Sequence, residues 1–161
     1  MNTCFLLLGG NIGDKEDSLK KAVALLEQKL GSTPKKSSIF ITGAWGNENQ
    51  PEFYNQAIAI ETILSAVELL KIVLEIEEQL GRKRNNDKWQ ERIIDIDILF
   101  YNNDIIDLPE LKIPHPFIQE RKFVLAPMNE IAGNFIHPIL KKTIKKLLNE
   151  CEDVLEVRLK S

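Results

Sequence analysis

The spacing of apolar residues predicts that the chain alternates short strands with amphipathic helices. Residues 4–8 are continuously apolar, whereas apolar residues recur every three or four positions from 19 to 30. The first pattern is typical of a buried strand and the second of a helix with one buried face. Asp14 precedes that helix as a candidate N-terminal cap, and Gly31 is expected to end it.

The same two patterns continue through the middle of the chain. Three further strands are predicted at residues 37–42, 53–62 and 89–100. Ser65 and Glu68 form a capping box in front of a second apolar stripe, so a helix is expected up to Gly81. A long polar loop at residues 82–92 overlaps the start of this last stretch and leads into its Asp-Ile-Asp part.

The predicted order of elements is strand, helix, strand, strand, helix, strand. This order indicates a ferredoxin-like α+β fold, in which helices pack on an antiparallel sheet. Beyond it, residues 102–118 are turn-rich, a short helix is expected at 120–126 before Pro127, and a lysine-rich helix at 139–150. We therefore predict a single domain over residues 1–161, a βαββαβ unit with a C-terminal extension.

The composition argues against several classes of protein. Of the 161 residues 43% are hydrophobic, and the net charge is −3. A general nucleic-acid-binding protein would usually be basic, and no apolar run approaches the ~18 residues of a membrane span. Residues 1–4 lack the charged start of a signal peptide, and Cys4 and Cys151 have no metal-type spacing. We expect a cytoplasmic protein with two reduced thiols.

Two aspartates mark the candidate chemistry of the last predicted strand. Successive strand side chains point to opposite faces, so Asp95 and Asp97 share one face. The other face is wholly apolar and consists of Ile94, Ile96, Ile98 and Phe100. Neighbouring carboxylates repel each other, and a Mg²⁺ ion between them would remove that repulsion. The alternative is an ordinary exposed strand face that carries two acids.

The polar loop before this strand is rich in cations. It contains Arg82, Lys83, Arg84, Lys88 and Arg92, together with Trp89. Arginine matches phosphate oxygens well, and carboxylates for a metal beside cations for an anion indicate phosphate chemistry. A solvated charged loop is the alternative.

Other residues outside this loop are candidates for ligand binding. Phe53 and Asn55 would suit a flat heteroaromatic ligand if their strand face lies on the same side as Asp95. The alternative is that Phe53 serves only in packing and that Asn55 is an ordinary surface residue. Glu77 lies on the apolar stripe of the second helix and either faces a ligand cavity or reaches water. His115 lies between two prolines, and a lone histidine of this kind is usually structural.

Together these motifs resemble the 6-hydroxymethyl-7,8-dihydropterin pyrophosphokinase family over nearly the whole chain. The resemblance rests on residues 8–11, 50–55, Glu77, 81–84, 89–99, 114–116, Arg121 and Phe123. Its most specific element is Trp-x-x-Arg-x-x-Asp-x-Asp-Ile, which begins at Trp89. The fold of the family is ferredoxin-like, in agreement with the order of elements.

The resemblance implies an enzyme of folate biosynthesis that transfers the terminal pyrophosphate of ATP to the pterin hydroxymethyl group and releases AMP. It implies two Mg²⁺ ions held by Asp95 and Asp97, with Arg82 and Arg92 as further catalytic residues at the phosphates. The implied pterin-side residues are Thr42, Gly43, Ala44, Trp45, Phe53, Asn55, Trp89 and Phe123. The implied ATP-binding residues are Leu70, Glu77, Arg84, Ile98, His115 and Arg121. The implied partners are these two small molecules, without nucleic acid or membrane, and the family is often monomeric.

The chain departs from the family pattern in two loops. Gln90 and Glu91 stand where the family commonly has Gly-Pro, which puts an acid in the loop that closes over the phosphates. Residues 42–45 replace a segment that usually contains proline. A nucleotide sensor without turnover, an RNA-binding module and an enzyme of another pterin remain alternative functions. The RNA module is disfavoured because the chain lacks a basic face and an aromatic Arg/Lys-Gly-Phe-type strand.

Overall fold

The computed structural model describes residues 1–43, 51–81 and 93–160 and has an antiparallel sheet with helices on both faces. The strands are β1 (Asn2–Gly10), β2 (Lys35–Lys36), β3 (Phe40–Thr42), β4 (Phe53–Thr62), β5 (Asp95–Tyr101), β6 (Ile106–Leu108), β7 (Leu111–Ile113) and β8 (Val157–Leu159). The helices are α1 (Lys15–Leu30), α2 (Ala66–Gln79), α3 (Lys122–Ala132) and α4 (Ile144–Glu150), with a short 3-10 turn at Ile118–Glu120.

The main sheet has the strand order β5-β1-β4-β3-β8, with β2 also paired to β4. Every pairing in it is antiparallel. Helix α1 connects β1 to the β2–β3 segment, and α2 connects β4 to β5. The prediction of a ferredoxin-like α+β fold is confirmed.

The ends of the first two helices follow from local residues. The Asp14 carboxylate accepts a hydrogen bond from the Asp17 backbone N–H at 3.1 Å, and Gly31 ends α1 with a φ of 75°. At α2 both bonds of the capping box between Ser65 and Glu68 are present. These short-range interactions confirm the predicted start and end of α1 and the predicted start of α2.

Two hydrophobic cores lie on opposite faces of the sheet. The first joins even positions of β1 and β4 to α1 and α2, as in the group Leu6, Leu8, Ile58, Leu26 and Leu69. The second joins the other face to α3 and α4, as in the group Phe5, Leu7, Leu99, Leu125 and Ile144. The second core does not cover one end of the sheet, and the residues on that end are polar.

The strand predicted at residues 37–42 is present only over Phe40–Thr42 (β3), and a further short strand, β2, lies just before it at Lys35–Lys36. Between them, the Ser37 hydroxyl accepts a hydrogen bond from the Ala57 backbone N–H at 2.9 Å. Three residues separate Lys36 from Phe40, whereas two separate their partners on β4, so one residue is extra. The prediction that the strand already begins at residue 37 is therefore wrong, because at Ser37 a side chain replaces a ladder bond.

Strand β5 begins at Asp95, and a bulge changes which face its last residues occupy. Leu6 of β1 pairs with Ile98, but the next residue, Phe5, pairs with Phe100. The extra residue, Leu99, moves Phe100 from the first core to the second. The prediction that Phe100 shares the face of Ile98 is wrong, because strict alternation fails at a bulge.

The C-terminal extension differs most from the predictions. Pro127 lies inside α3 and is buried, so it does not stop the helix, because the apolar stripe continues to Ile131. Helix α4 begins later than residue 139, because the Thr143 side chain caps it. The hairpin of β6 and β7 and the strand β8 were not predicted. Among the described helices, none is long and apolar enough to cross a membrane.

Candidate active site

Three adjacent strands align Asn55, Gly9 and Asp95 at the end of the sheet that the second core leaves uncovered. Gly9 of β1 pairs with Asn55 of β4 on one side and with Asp95 of β5 on the other. Directly paired residues point to the same face, so Asn55 and Asp95 share a face with their Cα atoms about 10 Å apart. This register confirms that the Asn55 face and the acidic face are the same side of the sheet.

The second aspartate lies one pleat further along β5 on the same face. Asp97 pairs with Leu7, which in turn pairs with Ala57. Both aspartates are half-buried, at the boundary between the second core and the open end of the sheet. No group of three or more metal-ligating side chains occurs in the described part of the chain. Two carboxylates at this spacing fit Mg²⁺, which commonly takes one or two carboxylates and completes its shell with phosphate oxygens and water.

The Asn55 amide lies across the sheet between β3 and β1. Its Nδ2 donates to Oγ1 of Thr42 at 3.3 Å, and both residues are buried. Its Oδ1 lies over Gly9, where an added Cβ would come within 2.5 Å of that oxygen. Gly9 is therefore a position of close approach that the sequence analysis did not single out, although a glycine inside a strand is a known signal of such an approach.

The two candidate pterin-stacking aromatics lie on elements that pack together. Phe53 opens β4, pairs with Thr42 and is half-buried. Phe123 lies in the first turn of α3, at the margin of the second core, and α3 packs on β3 and β4. Gly43 directly follows β3 beside Thr42.

The candidate ATP-binding residues of α2 approach β5 from the other side of the sheet. The Glu77 carboxylate is only 3% exposed and accepts a hydrogen bond from the Ile96 backbone N–H at 2.8 Å. Ile98 lies on the same first-core face, and Leu70 is half-buried two turns before Glu77. The structure thus brings these residues to the edge strand that carries Asp95 and Asp97.

His115 and Arg121 lie on the loop that returns to β5. The His115 backbone N–H donates to the Leu99 carbonyl at 2.9 Å, and its Nδ1 lies 2.7 Å from the Pro116 carbonyl. Desolvation by burial is the main cause of the lowered pKa of His115. The positive charge of Arg121 also lowers this pKa, whereas the carboxylate of Asp95 raises it. Both charges therefore affect the protonation of the imidazole.

Arg121 is held between two aromatic rings. Its guanidinium carbon lies 5.4 Å from the centroid of Phe117 and 5.9 Å from that of Phe123. These distances are those of cation–π contacts. Phe117, with a φ of 72° and 51% exposure, was not singled out from the sequence, because no periodicity marks it.

A sequence model of the family described as 7,8-dihydro-6-hydroxymethylpterin-pyrophosphokinase (HPPK) matches residues 5–133. The chain belongs to this family. It is 41% identical to the 2-amino-4-hydroxy-6-hydroxymethyldihydropteridine pyrophosphokinase of Aquifex aeolicus over 150 residues, which cover 93% of this chain and 92% of that one. It is 46% identical to the enzyme of the same name from Bacillus subtilis over 131 residues, which cover 81% and 78%.

Solved HPPK structures share the fold. The wild-type HPPK-DHPS of Plasmodium falciparum with pteroate superposes with a TM-score of 0.75 at 19% identity. The match covers 92% of this chain but 44% of the longer Plasmodium chain. At this identity the likeness shows the fold alone.

Several site residues that the family resemblance implies lie outside the described residues. They are Ala44, Trp45, Arg82, Arg84, Trp89 and Arg92, and the departures Gln90 and Glu91 lie outside as well. Their implied roles stay predictions.

Proposed function

We propose that this chain transfers pyrophosphate from ATP to the hydroxymethyl group of 6-hydroxymethyl-7,8-dihydropterin, giving the pterin diphosphate and AMP in folate biosynthesis. Relatives that match most of the chain are named as pyrophosphokinases. The observation that carries the proposal is the strand register that sets Asn55, Gly9 and Asp95 side by side. In this register the Asn55 amide, which suits a heteroaromatic ring, lies near the carboxylates of β5, which suit a metal–phosphate complex.

The pterin would lie between Phe53 and Phe123, with Asn55 at its edge. Thr42 already occupies one amide donor of Asn55, which orients the side chain. The Oδ1 acceptor then lies over Gly9 and suits the N–H donors of a pterin. The loop of residues 42–45 and Trp89 complete this side of the proposed site by resemblance to the family.

The nucleotide would lie around the edge strand β5. Leu70, Glu77 and Ile98 approach from the α2 side, and Arg121 offers a cation whose orientation two aromatic rings support. The pKa of His115 responds to the charges of both that cation and Asp95. Arg82, Arg84 and Arg92 are assigned to the phosphates by resemblance to the family.

The reaction depends mainly on positioning and charge neutralisation. The pterin hydroxyl oxygen forms a bond to the β-phosphorus of ATP, while the bond from that phosphorus to the oxygen of the leaving AMP breaks. The hydroxyl proton is released. Asp95 and Asp97 would hold Mg²⁺, two ions by resemblance to the family, which neutralises the triphosphate charge. We expect the chain to act as a monomer.

The decisive assay measures AMP formation from ATP and Mg²⁺ with and without 6-hydroxymethyl-7,8-dihydropterin. The matched control is 6-methyl-7,8-dihydropterin, which keeps the ring but lacks the attacking hydroxyl. We expect AMP with the hydroxymethyl compound alone, and loss of AMP when Mg²⁺ is chelated. AMP formed equally with the methyl compound, or none with either, would overturn the proposal.

A further inference from the structure

The C-terminal segment, residues 152–160, contacts three elements that form the walls of the proposed pterin site. It lies beyond residues 5–133, which the family model matches. Its strand β8 pairs with β3, so that Val157 lies opposite Thr42, the partner of the Asn55 amide. The segment therefore borders the β3 wall directly.

Asp153 connects the segment to the start of α3. Its Oδ2 accepts a hydrogen bond from the Lys122 backbone N–H, and its Oδ1 accepts one from the Leu155 backbone N–H, both at 3.0 Å. The residue at the normal capping position, Arg121, makes no side-chain cap. A carboxylate 31 residues away thus satisfies the helix start, where negative charge is favourable.

This cap lies next to two residues of the proposed site. Lys122, which donates to Asp153, stands between Arg121 and Phe123 in the chain. Fixing the Lys122 backbone therefore fixes the points from which the guanidinium and the aromatic ring extend. Asp153 itself needs no contact with either ligand.

Arg158 connects the segment to the wall that carries Phe53. Its Nη2 lies 3.0 Å from one carboxylate oxygen of Glu52 and 2.9 Å from the other. The Glu52 carbonyl also accepts a hydrogen bond from Nζ of Lys15 at 2.8 Å. The residue directly before Phe53 is thus held from β8 and from α1.

We propose that Asp153 and Arg158 are positioning residues of the pterin site. The segment connects the two walls, because Arg158 in β8 binds the residue before Phe53 and Asp153, four residues before β8, caps the helix that carries Phe123. It thereby holds the two rings at a set separation. This inference rests on the proposed function. It assigns the two residues an effect on pterin affinity that a purely structural role in the chain terminus would not have.

The test compares steady-state kinetics of Asp153→Ala and Arg158→Ala with those of Glu156→Ala. Glu156 is an exposed acid of the same segment and serves as the matched control. Asp153→Ala should raise the pterin KM about threefold to tenfold, because the start of α3, which carries Phe123, loses its cap. Arg158→Ala should raise it about twofold to fivefold, because its ion pair is exposed.

The two variants should differ in the KM for ATP. Arg158→Ala should leave it unchanged, whereas Asp153→Ala should raise it, because Arg121 also extends from the start of α3. Asp153→Asn and Arg158→Lys should restore part of the pterin affinity. If Asp153→Ala does not fold, as judged by circular dichroism, Asp153→Asn takes its place and should show a smaller rise.

A pterin KM equal to that of Glu156→Ala in a folded variant overturns the assignment of that residue. A wild-type chain that forms no AMP with the pterin would instead remove the proposed function. The two failures are thus separated by the wild-type assay.

Discussion

The Asn55 amide oxygen occupies the space where a side chain at Gly9 would begin. A Cβ at Gly9 would lie 2.5 Å from Oδ1 of Asn55, a distance that real Cβ contacts do not reach. The amide can therefore lie flat across β1 while its nitrogen donates to Thr42. Glycine weakens a strand, and at this position it makes room for the Asn55 amide.

Gly9→Ala should displace the Asn55 side chain and weaken pterin binding. Gly9 has an ordinary strand conformation, so the added methyl acts by steric contact rather than by backbone strain. We expect the pterin KM to rise about tenfold or more, the equivalent of one lost buried hydrogen bond. The KM for ATP should change little, and steady-state kinetics with each substrate varied in turn would measure both.

Gly31→Ala is the matched control for this prediction. Gly31 has a φ of 75°, so alanine there is strained and should cost about 1 kcal/mol of unfolding free energy. It lies at the end of α1, away from the site. Gly31→Ala should lose stability without a change in pterin KM, whereas Gly9→Ala should raise the pterin KM, whatever the added methyl costs in stability. An unchanged pterin KM in Gly9→Ala would contradict the role given to Asn55.

Asp97→Ala should abolish most turnover and leave the fold intact. The residue lies at the boundary of the second core rather than within it, and the proposal assigns it to the metal. We expect kcat to fall at least about a hundredfold. Asp107→Ala, on the exposed β6–β7 hairpin, should keep wild-type turnover. Substantial activity in Asp97→Ala would rule out the proposed metal role.

Glu77 joins α2 to the strand that carries both aspartates. Its buried carboxylate accepts the Ile96 N–H, so Glu77→Ala leaves that donor without this acceptor and should lower the unfolding free energy by about 1–3 kcal/mol. Glu77→Gln keeps an acceptor oxygen and should recover most of the loss. Urea unfolding would measure both, with Glu75→Ala on the exposed face of α2 as control. Equal stability of Glu77→Ala and Glu75→Ala would contradict the prediction.

The parts of the fold that follow from neighbouring residues could be predicted from the sequence. Asp14 and Gly31 bound α1 through interactions within a few residues, and the capping box at Ser65 does the same for α2. The shared face of Asp95 and Asp97 follows from the two-residue period of a strand. These features can be predicted without knowing which distant residues pack against them.

The features that depend on distant partners could not be predicted. The break at Ser37 arises from a bond to Ala57, and the bulge at Leu99 from the pairing of β5 with β1. The role of Gly9 appears only when the register places it between Asn55 and Asp95. The Asp153 cap of α3 spans 31 residues and has no local signal.

His137 should make the stability of the C-terminal extension depend on pH. The residue is 4% exposed, and its Nδ1 accepts hydrogen bonds from the backbone N–H groups of Ile139 at 3.2 Å and Leu140 at 3.1 Å. A protonated Nδ1 could accept neither. Burial also lowers the pKa of His137 below its value of 6.5 in an unfolded chain.

Because the folded-state pKa is the lower one, the unfolded chain binds the proton more readily. The stabilisation is therefore complete above about pH 6.5 and is lost as the pH falls through the folded-state value. His137→Asn keeps an acceptor in the position of Nδ1 but does not titrate, so its melting temperature should fall less on acidification. His115 has a lowered pKa as well. His115→Asn is therefore measured in parallel, to separate the contribution of His115 to the pH dependence of the melting temperature. Thermal unfolding at about pH 7.5 and about pH 5 gives the comparison. If His137→Asn and the wild type lose equal amounts in melting temperature, the pH dependence does not come from this histidine.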